Sequence, residues 1–234
     1  LRAIIEISNY CVKDCLYCGL NRENKKLKRY RMEREEILKA VEKASNFGFK
    51  TIVIQSGEDP YISSEFIGEI IAKIKEKFDV AVTLSLGERK FEDFLKWKEI
   101  GADRYLLKFE TSDLNLYQKS HPSLKVASNK RIEILKNLKE IGYEAGSGIM
   151  VGIPFQTYES LAEDLMLISE LDLDMIAIGP YIPHKETAFS HDLEKIEIKE
   201  IERTTLLLIS LARILNPTAN IPSTTALSVL DPKE

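Results

Sequence analysis

Arg2-Ala-Ile-Ile-Glu-Ile-Ser8, running straight into Asn9-Tyr-Cys11-Val-Lys-Asp-Cys15-Leu-Tyr17-Cys18, is the stretch on which the fold turns. The first seven residues are dense in isoleucine and read as a strand. The next ten carry three cysteines and no helical periodicity, so they read as a loop. After that loop Arg34 to Phe47 places Ile37, Leu38, Val41 and Ala44 on one helical face, and Gly48 lies where such a helix ends. The result is a strand, a chemically loaded loop and a helix.

The same unit recurs along the chain. Strand-like runs fall at Thr51 to Gln55, Ala81 to Leu86, Arg104 to Lys108, Glu144 to Val151 and Met175 to Gly179, and Asn220 to Thr225 begins another. Helical stretches fall at Ser63 to Phe78, with Ser63-Ser64-Glu65-Phe66 as its cap, and at Phe91 to Ile100, Ser128 to Ile141, Ser160 to Leu171 and Ile198 to Leu215. About seven strands alternate with helices, which implies βαβ units and a parallel sheet wound in one sense. A doubly wound sheet fits the pattern, but the even rhythm favours a TIM-type (β/α) barrel, incomplete because an eighth strand is missing. No linker, repeat or low-complexity stretch interrupts residues 1–234, so one domain is expected. Chemistry in such barrels gathers at the C-terminal ends of the strands. The loops to inspect are therefore Asn9 to Asn21, Ser56 to Tyr61, Gly87 to Arg89, Phe109 to Asp113, Gly152 to Thr157, Pro180 to His184 and Thr224 to Ala226.

Composition narrows the classes. The chain has 234 residues and a net charge of −4, without the basic surplus of a sequence-independent nucleic-acid binder. No apolar run approaches the roughly 20 residues that cross a bilayer. Leu1 to Ser8 reads as a strand rather than a leader peptide. The absence of an initiator Met and the stop at Asp231-Pro232-Lys233-Glu234 lead us to expect a fragment. Arg22 to Arg34 is basic, either a solvated loop or a face for an anionic partner.

All three cysteines fall in one short window, a poor disulfide framework that suggests a reducing, cytoplasmic setting. Three thiolates can hold three irons of a 4Fe-4S cluster and leave one iron open. A zinc site usually needs four ligands, and His121, His184 and His191 do not stand at finger spacing. A chance group of buried free cysteines is the remaining alternative.

The order Cys-x-x-x-Cys-x-aromatic-Cys after a first strand resembles the signature of the radical S-adenosylmethionine superfamily. That resemblance implies a 4Fe-4S cluster on Cys11, Cys15 and Cys18 whose open iron chelates S-adenosylmethionine, which is cleaved reductively to methionine and a 5′-deoxyadenosyl radical. Cofactor-binding roles are implied for Tyr17, Ser56, Gly57, Glu58, Glu110, Arg131, Met150 and Val151. Gly57 would permit close backbone approach and Glu58 would accept from the methionine ammonium, although a tight turn with a solvated acid reads equally well. Glu110 would face the ribose or amino group. Arg131 would clamp the carboxylate, against the plain alternative of a surface arginine. Gly148 to Thr157 resembles the adenine-side segment of biotin-synthase-like members, with Phe155 where those often carry glycine.

Longer strings are more specific. Glu6 to Cys11, Tyr17 to Leu20, Arg29 to Met32, Gln55 to Tyr61, Thr83 to Glu88, Ala102 to Leu107, Ile178 to His184 and Ile221 to Ala226 together resemble the HydE family of FeFe-hydrogenase maturases. The implied role is assembly of the hydrogenase di-iron cofactor from a small anionic substrate, sulfur-containing or organo-iron. Thr83, Arg104, Lys108, Thr224 and Thr225 match substrate-cavity positions, with Met150 as a soft wall. Lys108 stands where the family often has arginine, keeping the charge but losing the planar fork. An electron donor such as flavodoxin or ferredoxin and other hydrogenase maturases are the implied partners. Methylornithine synthase and biotin synthase are rivals within the branch, the latter weakened by the lack of further cysteines. A non-catalytic metal-binding scaffold is the rival from another class, and it leaves the polar strand ends unexplained.

Overall fold

The computed structural model describes residues 1–124, 128–190 and 198–230, so His191 and the chain end at Asp231 to Glu234 lie outside the described residues. The chain forms two compact units. One comprises Leu1–Val12, Lys25–Leu107 and Lys136–Ala145, the other Lys13–Asn24, Lys108–Leu135 and Gly146–Glu234.

The first unit holds β1 (Ala3–Ser8), α1 (Arg34–Asn46), β2 (Thr51–Ser56), α2 (Ser64–Lys77), β3 (Ala81–Ser85), α3 (Phe91–Ile100) and β4 (Arg104–Leu106). Strand β2 pairs in parallel with β1 and β3, and β3 pairs in parallel with β4. Ile52, Val53 and Ile54 of β2 are all buried, the continuous apolar run of a strand covered on both faces. Helix α2 begins where its sequence says, with the Ser63 hydroxyl oxygen accepting from the Phe66 N–H at 3.1 Å. It buries Ile67, Ile70, Ile71 and Ile74, each stabilising the fold by roughly 2 kcal/mol. Helix α3 turns Phe94 and Trp97 inward; the Trp97 indole donates to the Ser64 carbonyl at 3.0 Å, and Phe94 meets Tyr105 of β4 edge-on at 4.9 Å.

Helix α5 (Lys130–Ile141) and strand β5 (Glu144–Val151) contribute to both units. The second unit adds α4 (Leu114–Ser120), α6 (Tyr158–Glu170), β6 (Met175–Pro180), α7 (Ile198–Leu215) and α8 (Thr225–Leu230). Strands β5 and β6 are parallel, from Gly146 opposite Met175 to Val151 opposite Pro180. Within the first unit the strands follow chain order, β1 to β4. The fold is α/β, a parallel sheet with helices of the incomplete TIM type.

Two expectations change. The expected seventh strand at Asn220 to Thr225 is a single bridge: Asn220 pairs with Met175, and Thr225 already opens α8. Pro222 has no N–H to continue a ladder, which accounts for the early stop. Helix α4 is an addition. Asp113 starts it, its carboxylate accepting from the N–H groups of Asn115 at 2.8 Å and Leu116 at 3.1 Å.

Candidate functional site

In the first unit the loop after β2 is built around a buried carboxylate. The Asp59 side chain has no exposed surface and receives the Ser8 hydroxyl at 2.6 Å and both arms of Arg31, at 2.7 and 3.0 Å. Burial pushes the Asp59 carboxyl up, but hydrogen bonds from Arg31, Ser8 and the Tyr61 N–H outweigh it, and the net shift is downward. The guanidinium of Arg31 also lies over the rings of Tyr10, at 3.7 Å, and Tyr61, at 4.8 Å.

That anchored loop presents Gly57 to the cysteine segment. Any side chain at Gly57 would fall 2.2 Å from the Tyr10 carbonyl and 2.8 Å from Cβ of Cys11. Only glycine lets the loop pass this close. Glu58 follows, its carbonyl accepting from the Val12 N–H at 3.0 Å and its side chain lying over Gly87, where a Cβ would fall 2.1 Å from Glu58 Cγ. The Ser56 hydroxyl donates to the Gly57 carbonyl at 2.7 Å. Glu58, Val12, Asp59, Pro60, Glu88 and Arg89 line a cleft of about 290 Å³.

In the second unit Cys15 and Cys18 sit on consecutive turns. The Cys18 N–H donates to the Cys15 carbonyl at 3.2 Å, and Asn21 donates to the Cys18 carbonyl through its N–H at 3.0 Å and its side-chain amide at 2.6 Å. Tyr17 between them points to His121, hydroxyl to Nε2 at 3.0 Å. His121 Nδ1 lies 2.7 Å from the Tyr117 carbonyl, which can only accept, so Nε2 is the acceptor for the Tyr17 hydroxyl. Burial pushes His121 down to about 4 and keeps the ring neutral at physiological pH. Tyr17, Leu16 and Met150 pack against buried Leu116, Ile153, Tyr181 and Phe189. Both Glu110 and Arg131 act electrostatically on Tyr17, as do Cys15 and Cys18. Tyr17, Met150, Glu110 and Arg131 are therefore gathered around one wall of this unit.

Glu110 is buried, with φ at 66°, and its Oε2 has no hydrogen-bond partner among the described residues. Arg131 is also buried, not a surface residue, and donates through Nη1 to the Lys108 carbonyl at 2.8 Å. Val151 is buried, its carbonyl accepting from the Tyr181 N–H at 2.8 Å. Beyond it Gln156 pins the turn, accepting from the Gly152 N–H at 2.7 Å and donating to the Met150 carbonyl at 2.8 Å. Phe155 has φ at 72°, so the turn is left-handed at a residue other than glycine. A larger cleft of about 440 Å³ lies beside α7 and shares only Val151 with the expected site residues.

The expected substrate residues are spread. Thr83 lies within β3 and Thr224 beside Gly179; each has a buried hydroxyl without a hydrogen-bond partner among the described residues. Thr225 is exposed at the start of α8. Arg104 opens β4 and is ion-paired with Glu144, the first residue of β5, with Thr51, the first residue of β2, at 3.4 Å. It therefore sits at the N-terminal strand ends, and a substrate role would require breaking that pair.

The donor set fits a cluster on local evidence. None of the three cysteines is in a disulfide, Cys11 packs beside a glycine that nothing larger could replace, and a buried carboxylate, Glu110, acts on the same Tyr17 ring as Cys15 and Cys18. Among the described residues no group of three or more His, Cys, Asp or Glu side chains could hold a single metal ion. A cluster asks each thiolate to reach a different iron. Among the described residues no helix is long and apolar enough to cross a membrane.

The parallel α/β fold and the cysteine loop after its first strand define a class, and residues 5–168 match the Radical SAM superfamily: the chain belongs to it. Within that class the chain is 51% identical over 232 residues to the [FeFe] hydrogenase maturase subunit HydE of Thermotoga maritima, covering 99% of this chain and 64% of the relative. It is 30% identical to 3-methylornithine synthase of Methanosarcina acetivorans, again over 99% of this chain and 64% of that protein. The chain thus spans 64% of the length of these curated relatives. Among solved structures, methylornithine synthase (PylB) superposes with a TM-score of 0.78 at 25% identity, over 96% of this chain and 73% of that one. The maturase HydG superposes at 0.79 with 22% identity, over 94% of this chain and 51% of that one, a likeness of fold alone.

Proposed function

We propose that residues 1–234 are the core domain of a radical S-adenosylmethionine enzyme that matures FeFe hydrogenase. The observation that carries this reading is the 51% identity to HydE across 99% of the chain. The 30% identity to 3-methylornithine synthase makes that the second reading.

Cys11, Cys15 and Cys18 would hold the cluster, and the donor set and the glycine cradle at Gly57 support that assignment. When bound, a 4Fe-4S cluster supplies the electron that cleaves the sulfonium of S-adenosylmethionine. The residues around it bind, orient and exclude water. Ser56, Gly57 and Glu58 would meet the methionine ammonium, with Asp59 and Arg31 keeping that loop rigid. Arg131 would pair with the carboxylate, its second duty being the bond to the Lys108 carbonyl. Glu110 would accept from the ribose or amino group through its unsatisfied oxygen. Tyr17, Met150 and Val151 would give the adenosine an apolar wall, with the Tyr17 ring fixed by His121. Lys108, Thr83 and Thr224, with Thr225, would face a small anionic substrate, sulfur-containing or organo-iron, and Arg104 would reach it only on leaving its pair with Glu144.

An electron donor such as flavodoxin or ferredoxin, the other hydrogenase maturases and a cytoplasmic location complete the proposal. The test is an anaerobic maturation assay in which the full-length protein replaces HydE. Restored hydrogenase activity supports the reading. Formation of 3-methylornithine, without restored activity, would establish the second.

A further inference from the structure

We propose that Asp164 and Asn129 are positioning residues that hold the Glu110 carboxylate in its binding posture. The inference rests on the reading of Glu110 as a ligand of S-adenosylmethionine.

Glu110 is strained twice. Its φ of 66° lies in the left-handed region, and its carboxylate is buried with Oε2 unsatisfied. A left-handed non-glycine residue costs on the order of 1–3 kcal/mol and persists only where its surroundings over-determine it. Burial of an unsatisfied carboxylate oxygen adds to that. Here the surroundings are two buried side chains from outside the loop. The Asn129 amide donates to the carbonyl before Glu110, that of Phe109, at 2.9 Å, and to the one after it, that of Thr111, at 3.2 Å. Asp164 Oδ1 accepts from the Ser112 N–H at 2.5 Å, the Ser112 hydroxyl at 2.7 Å and the Thr111 hydroxyl at 3.3 Å. From the third side the Glu110 N–H donates to the Gly148 carbonyl of β5 at 3.2 Å.

Among the described residues, no contact of Asp164 other than these calls for a carboxylate. It lies on the buried face of α6, its second oxygen without a partner among the described residues, where an apolar residue would pack at lower energetic cost. What it supplies is an acceptor able to hold three donors of one short loop. The result is a carboxylate set before the ligand arrives, so that binding does not have to order it.

The test uses full-length protein reconstituted anaerobically, with Asp164→Ala, the conservative Asp164→Asn, and Glu110→Gln as reference. Three readouts are needed: iron content, S-adenosylmethionine affinity, and amide hydrogen exchange of residues 109–113 in cluster-free protein. Asp164→Ala is expected to keep its iron, to lose protection over 109–113, and to bind S-adenosylmethionine roughly tenfold more weakly, the loop strain now being met at binding. Asp164→Asn, which keeps an acceptor oxygen, should restore most of the affinity. In the Glu110→Gln background Asp164→Ala should have little further effect, whereas a merely structural role would add its full loss. Unchanged exchange and affinity in Asp164→Ala overturn the proposal. If exchange rises but Glu110→Gln binds S-adenosylmethionine normally, the brace stands and the reading of Glu110 as a ligand fails.

Discussion

Individual residues divide into those whose chemistry is written in their identity and those that matter only through distant partners. Cys11, Cys15 and Cys18 are of the first kind: three thiolates at close spacing announce themselves. Asp164, Asn129 and His121 are of the second. Asp164 lies 52 residues from Ser112, Asn129 lies 20 from Phe109, and His121 lies 104 from Tyr17, so no local pattern could reveal them. For Asp164 the one signal was a polar residue at an apolar-facing position of α6, while Asn129 and His121 lie outside the helices beside them. Arg131 is expected to bind the S-adenosylmethionine carboxylate, so Arg131→Ala should weaken affinity while iron content stays unchanged. Equal affinity by equilibrium binding would confine Arg131 to its bond with Lys108. Asp164 also carries a pH signature. Burial raises its carboxyl from the usual 3.8 to about 6, even against the hydrogen bonds from Ser112 and Thr111. The folded state therefore binds this proton more tightly than the unfolded chain. The contribution is fully present below pH 4 and is lost as pH rises through 6, about 3 kcal/mol at most. His121 opposes it, because burial disfavours its charged form below pH 6.5. Chemical denaturation of Asp164→Asn between pH 5 and 8 should show this gain on acidification removed; an unchanged pH slope would mean that Asp164 does not titrate in this range.

Elements were legible where two independent signals agreed. Strands β2, β3 and β5 are β-branched or apolar runs between turn residues, and α2 pairs a serine cap with isoleucines at helical spacing. Ser63→Ala should remove that cap and lower stability by about 1 kcal/mol, read as a fall of a few degrees in Tm. An unchanged melting temperature would mean that Phe66 N–H finds water at no cost. Helix α4 escaped because 7 residues are too few for a periodicity, and only Asp113 marked its start. The segment after Asn220 misled because a short apolar and threonine-rich run resembles a strand until Pro222 is weighed. The turn at Phe155 is the most instructive. Its left-handed backbone costs about 1 kcal/mol, set against an exposed edge contact with Phe189 and Lys119 Nζ 4.9 Å above the ring. Phe155→Gly should leave Tm unchanged or higher, and Phe155→Val, a β-branched residue, should lower it. A glycine variant that melts well below the parent would show that the ring contacts outweigh the strain.

For the whole molecule, the alternation of strands and helices set the fold class, and the cysteine loop after β1 set the superfamily. What the linear pattern could not convey is how the expected site residues are held within each unit. The first unit uses a charged clamp, Arg31 on Asp59, to bring Gly57 against Cys11. The second uses buried polar braces, His121 on Tyr17 and the pair Asp164 and Asn129 around Glu110, to fix an apolar wall and one carboxylate. Both arrangements rely on pre-set groups, which would suit the proposed work of steering a reactive cofactor and excluding water. The claim on which all of this rests is that Cys11, Cys15 and Cys18 hold one cluster that cleaves S-adenosylmethionine. The most direct test is to reconstitute the full-length protein and its Cys15→Ala variant anaerobically, and to measure iron together with 5′-deoxyadenosine after reduction. The parent should bind about four irons on this motif and form 5′-deoxyadenosine, and Cys15→Ala should lose both. Normal iron on the motif and normal 5′-deoxyadenosine in the variant would contradict the account.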